Sequence, residues 1–176
     1  MPVSPDQAAP RDPVQQGPIH LAAFNRLPLP AAADLTRACL DVPRWWTALL
    51  LARPFHDYET LLEVARDAAF PFSPAELEAA VAQHLRQRRP ADARPQTPTG
   101  SGRLSHERAP AWDGLAATYE RRFGRPFIVR AAGRSTAEIV GLLQTRLANS
   151  LEAEEAVVAN QLRQITLLAL TRRVTE

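Results

Sequence analysis

The chain has 176 residues, 45% of them hydrophobic, and a formal net charge of +2. That suffices for one domain with a single core and is too little charge to argue for a nucleic-acid partner. A lone cysteine, Cys39, excludes a disulfide framework and a thiolate metal cluster. No apolar run nears the ~18 residues of a membrane span, so no membrane partner is expected. Neither a secretory signal nor a Ser-Lys-Leu address is present, and a reduced, cytoplasmic setting is the expectation.

Residues 1–18 carry prolines at 2, 5, 10, 13 and 18 and almost no apolar side chains. Such a stretch buries too little to offset its ordering entropy, which predicts a disordered leader. The folded domain is expected over 19–175, beginning at His20–Leu27. Pro30–Leu40 reads as a helix with Leu35, Ala38 and Cys39 on one face. A second helix starts after Pro43, carries Trp45, Trp46, Leu49 and Leu50, and stops near Ala52 because Pro54 disfavours helix at Arg53. Asp57 N-caps a third helix through Ala69. Ser73-Pro74-Ala75-Glu76 combines a capping serine, proline at the first helical position and a glutamate that completes a capping box. That helix runs to about Arg88. Residues 90–110, with four prolines and two glycines, read as a loop.

Trp112–Phe123 is helical, with Leu115, Tyr119 and Phe123 at fourfold spacing. Gly124 and Pro126 stop it, and Phe127–Arg130 is extended. Ser135, with Glu138 three residues on, caps a helix carrying Ile139, Leu142, Leu143 and Leu147. Asn149-Ser150 breaks that helix, and Ala153–Arg173 forms the last one. No segment alternates at period two for long enough to build a sheet. The fold class is all-α: a bundle of about six to eight helices with one short extended segment.

Few patterns carry chemistry. The histidines at 20, 56, 84 and 106 lack metal-ligand spacing, so no metal is expected. There is no phosphate loop and no nucleophile elbow. Arg86-Gln87-Arg88-Arg89 reads as a solvated helix end, not a nucleic-acid patch. Trp45, Trp46, Tyr119 and Phe123 read as core. His84 is either an acid–base group, with an ordinary pKa near ~6.5, or an exposed polar residue suited to a helix C-terminus.

Several motifs recur together: Tyr119-Glu-Arg-Arg-Phe123-Gly124-Arg-Pro126-Phe127-Ile128-Val129, then Gly133-Arg134 and Arg146-Leu-Ala-Asn149. Upstream stand Phe24-Asn25-Arg-Leu27-Pro28, Trp45-Trp46 and Arg53-Pro54-Phe55. Over roughly Leu21–Val174 this set resembles the OHCU decarboxylases, cofactor-free enzymes that finish the conversion of urate to allantoin. The resemblance implies a homodimer that removes the carboxylate of 2-oxo-4-hydroxy-4-carboxy-5-ureidoimidazoline and gives (S)-allantoin. It implies catalysis by His84, followed here by Leu85 where the family has proline. Glu107, in Leu104-Ser105-His106-Glu107-Arg108, would supply the partner carboxylate; Arg108 replaces a glutamine, and His106 is a rival acid–base group. Leu85, Leu104, Ser105 and Arg108 would contact substrate, as would the backbone of Phe127, Ile128, Val129, Arg130 and Ala131, and Arg146. Between Glu107 and Tyr119 there is little room for a helix that the family carries. The alternative is therefore a catalytically inactive relative, its helical fold kept as an interaction module.

Overall fold

The structure, a computed structural model, describes residues 17–88 and 111–176. The expected leader (but for its last two residues) and the whole of the proline-rich loop 90–110, with Leu104, Ser105, His106, Glu107 and Arg108, lie outside the described residues. Eight helices are present among those described, and the all-α expectation holds. One exception is a two-residue parallel pair, β1 (Ile19–His20) with β2 (Val174–Thr175), in which Ile19 is opposite Val174. Two residues per strand leave no alternation to read, which is why the sequence concealed it.

The contacts divide the chain into two compact units, 1–68 with 167–176, and 69–166. In the first, β1 leads into α1 (Leu21–Arg26), followed by α2 (Leu29–Cys39), α3 (Pro43–Leu51) and α4 (Tyr58–Ala68). Proline stands in the first turn of both α2 and α3, where a missing N–H costs nothing. Asp57 caps α4 as expected, its Oδ1 accepting the Thr60 N–H at 2.8 Å. Trp45 is fully buried, and its indole N–H donates to the Ala65 carbonyl at 2.8 Å, joining α3 to α4.

The motif residues of this unit form one junction. The Asn25 amide donates to the Phe55 carbonyl and accepts the Phe55 N–H, both at 2.9 Å. Arg53 donates to the carbonyls of Asn25 (2.8 Å) and Leu27 (2.5 Å), and its guanidinium lies 5.2 Å from the centre of the Phe24 ring. Phe24 and Phe55 stack at 6.3 Å. Two side chains thus satisfy the backbone of two irregular connections that have no helical partners. Cys39 is buried here, and burial pushes its thiol up to about 11, so it is no nucleophile at neutral pH.

The second unit holds α5 (Pro74–Arg88), α6 (Ala111–Phe123), α7 (Thr136–Arg146) and most of α8 (Leu151–Thr171). Both expected capping boxes form. Ser73 and Glu76 exchange bonds at 2.8 and 3.3 Å, and Ser135 and Glu138 at 2.7 and 3.3 Å. Gly124, at φ 67°, closes α6. Tyr119, Phe123 and Leu143 make the core, with Phe127 edge-on to Tyr119 at 5.2 Å and to Trp112 at 6.1 Å.

Asn25→Ala removes both bonds to the Phe55 backbone. It should lower stability by about 1–3 kcal/mol in chemical denaturation, because two buried backbone groups lose their partners. Asn25→Asp keeps the acceptor alone and should fall between the two.

Candidate functional site

His84 lies one turn before the end of α5, half-buried, with Nε2 shielded from solvent and lacking any hydrogen-bond partner among the described residues. The exposed-polar alternative for this residue does not hold. Burial, reinforced by the Arg88 guanidinium one turn further on, lowers its pKa to about 4. The imidazole is therefore neutral at pH 7. Leu85 continues α5 to Arg88 because it offers an N–H and carries no ring to clash with the preceding turn.

In the same unit, the segment Phe127–Ala131 is neither helix nor strand, and Ile128 and Val129 are buried. Some of its backbone groups are engaged within the fold. The Ile128 carbonyl accepts from Arg146 Nη1 at 2.7 Å, and the Arg130 N–H donates to Gln161 Oε1 at 2.8 Å. The Arg130 and Ala131 carbonyls accept from the Arg134 side chain (2.5 Å) and backbone (3.1 Å). The N–H and C=O of Val129 have no partner among the described residues.

Arg146 is placed otherwise than expected. It is only 5% exposed, and its guanidinium is enclosed rather than turned to an anionic ligand. Nε donates to Glu154 Oε1 at 2.8 Å and Nη2 binds the same oxygen. Nη2 also donates to the Tyr119 hydroxyl at 3.2 Å. The guanidinium lies over the Phe127 ring, 4.5 Å from its centre. Tyr119 in turn donates to Glu154 Oε1, and Asn149 Nδ2 donates to Oε2 at 2.8 Å. Burial and the Glu154 contact push the Tyr119 phenol upward, so it stays protonated. The sequence reading missed Glu154. The available signal was its place four residues before Val158 on the buried stripe Glu154, Val158, Leu162, Thr166, Leu170.

His84 and Phe127–Ala131 thus belong to one unit, whereas the Leu104–Arg108 residues lie outside the described part. Among the described residues, no three His, Cys, Asp or Glu side chains come together as a metal site.

Fold and motifs define an all-α protein in which a Tyr-x-x-x-Phe-Gly helix end and an Arg-Leu-x-Asn helix end meet through the hydrogen bonds of Tyr119 and Arg146 with Glu154. The family model described as OHCU decarboxylase matches residues 25–171. The chain belongs to the OHCU decarboxylase family. It is similar to a crystal structure of (S)-allantoin synthase, with TM-score 0.62 and 16% identity, over 89% of this chain and 54% of that one. At that identity the likeness is one of fold, and this chain spans about half the length of that structure. No curated protein matches the sequence.

Two outcomes follow from this geometry. An NMR titration should find the His84 ring neutral down to pH 5, with a midpoint near about 4. Between that value and the ordinary 6.5, the unfolded chain binds a proton that the folded chain does not. His84 therefore subtracts stability as pH falls through this window, and His84→Asn should flatten that part of the pH dependence. Glu154→Leu strands a buried guanidinium and should cost about 3–5 kcal/mol in denaturant unfolding.

Proposed function

We propose that the chain decarboxylates 2-oxo-4-hydroxy-4-carboxy-5-ureidoimidazoline to (S)-allantoin in urate degradation, as a homodimer and without metal or organic cofactor. The observation that carries this reading is the neutral His84 with its buried, unpartnered Nε2. Family membership supplies the reaction class.

Loss of carbon dioxide breaks the C–C bond and sends its electron pair through the ring to a ring nitrogen, where hydrogen-bond donors stabilise the charge until that nitrogen takes a proton from solvent. The hydroxyl-bearing carbon becomes a carbonyl as its O–H proton leaves. Neutral His84 accepts that proton. Because burial makes the imidazolium acidic, His84 passes it readily to the neighbouring ring carbon. Delivery to one face yields one enantiomer. Glu107 orients the hydroxyl, with His106 as the alternative group. The open backbone groups of Phe127–Ala131 hold the heterocycle and its ureido arm, and Leu85, Leu104, Ser105 and Arg108 complete the pocket. A second reading, an inactive relative serving as an interaction module, is favoured by Leu85, which carries α5 on past His84 where the family has proline.

The test is production of optically active allantoin. Purified protein, supplied with urate, urate oxidase and hydroxyisourate hydrolase, should generate a circular dichroism signal that spontaneous, racemic decay lacks. His84→Asn should abolish the signal while retaining helical content. An inactive wild-type protein overturns the decarboxylase reading, and an active His84→Asn variant overturns the role of His84.

A further inference from the structure

Val129 is flanked by two peptide planes, and each is held from one side. The peptide joining Ile128 to Val129 is fixed by Arg146 Nη1, which binds the Ile128 carbonyl at 2.7 Å. The peptide joining Val129 to Arg130 is fixed by Gln161 Oε1, which accepts the Arg130 N–H at 2.8 Å. Both peptides are trans, since the cis bonds among the described residues are at Pro54 and Pro71. In a trans peptide the N–H and C=O point in opposite directions. Holding the Ile128 carbonyl therefore directs the Val129 N–H away from Arg146. Holding the Arg130 N–H likewise directs the Val129 carbonyl away from Gln161. Neither of these Val129 groups has a partner among the described residues. The same holds for the N–H groups of Phe127, Ile128 and Ala131 and for the Phe127 carbonyl, but Val129 has both of its groups open and both of its peptide planes held.

The two holders differ in what supports them. Arg146 is locked in the buried cluster with Glu154 and Tyr119. Gln161 is a half-buried side chain on α8 whose amide oxygen goes to Arg130. On α8 it stands between Asn160 and Leu162, and its Oε1 makes the bond to the Arg130 N–H. Leucine at this position would keep most of the side-chain bulk and lose the acceptor.

The geometry points to Gln161 as a positioning residue that acts with Arg146 to aim the Val129 N–H and C=O at the amide-like N–H/C=O edge of a ring or ureido group. This rests on the function proposed above, in which Phe127–Ala131 holds the heterocycle. Gln161 touches no reacting atom. Its effect passes through the Val129–Arg130 peptide, so it acts on substrate binding more than on the proton-transfer step.

Gln161→Leu removes the acceptor with little change in volume, and Gln161→Glu restores an acceptor at the same reach. For Gln161→Leu, KM should rise about fivefold or more, as a misaimed donor–acceptor pair loses its partners. Its kcat should stay within about twofold, and its melting temperature should move by no more than a few degrees. Gln161→Glu should return KM to within about twofold of wild type, because the Arg130 N–H regains an acceptor. A merely structural role would lower the melting temperature without this KM split or its rescue. A folded Gln161→Leu protein with wild-type KM overturns the proposal, as does a Gln161→Glu variant as impaired as the leucine variant. Should the wild-type protein prove inactive, the decarboxylase reading fails by itself and the positioning claim is read by amide NMR. The Arg130 and Val129 resonances should then shift in Gln161→Leu and recover in Gln161→Glu, and unshifted resonances overturn it.

Discussion

The second unit is organised by one buried ion pair, Arg146 with Glu154. Removing both charges from water is costly, and attraction alone seldom offsets that cost. Here the remaining hydrogen-bonding capacity is filled. Glu154 accepts from Arg146, Tyr119 and Asn149, and Arg146 also reaches the Ile128 carbonyl. The helix termini help as well, because Arg146 stands in the last turn of α7 and Glu154 in the first turn of α8. An apolar pair of equal volume could pack as well. It could not hold the carbonyl of an irregular segment, and that is the argument for a charged pair at this place.

The end of α5 shows the opposite balance. A helix C-terminus favours a cation, which by itself would raise the pKa of a histidine there. His84 goes the other way because burial dominates and Arg88 adds like-charge repulsion. The result is a base that is weak but unprotonated at neutral pH, with a conjugate acid that gives up its proton readily. Such a group suits a reaction in which a proton moves between two substrate atoms and none is lost to water.

Legibility in the sequence followed the range of the interaction. The boxes at Ser73 and Ser135 and the turn at Gly124 are local, and each was readable within a few residues. The pairing of Ile19 with Val174 joins distant segments over two residues and leaves no periodic trace. Tyr119 was readable as core because its ring is core, whereas the role of its hydroxyl depends on Glu154, 35 residues away. Glu154 escaped because a glutamate near a helix start reads first as a solvated, dipole-favoured residue. Arg146 was misread for a related reason. From sequence an arginine near a pocket motif suggests an anion, and only the fold reveals that the anion is internal.

The residues that make the family recognisable and those that would perform its chemistry are largely different. Asn25, Arg53, Tyr119, Arg146 and Asn149 all bind backbone, one another or Glu154. None of them has an open acid–base group directed away from its partners. Their survival preserves the architecture whether or not the pocket turns over substrate, so family membership and activity are physically separable in this chain. In the proposed reaction the chemistry falls instead to the last turns of α5, where Leu85 lets the helix run on to Arg88. A histidine embedded in a continuing helix is held more rigidly than one at a frayed end, and a fixed imidazole can favour one face of a planar intermediate. With leucine at 85 in place of proline, α5 holds His84 within a continuing helix and keeps the group assigned to proton transfer in the proposed reaction.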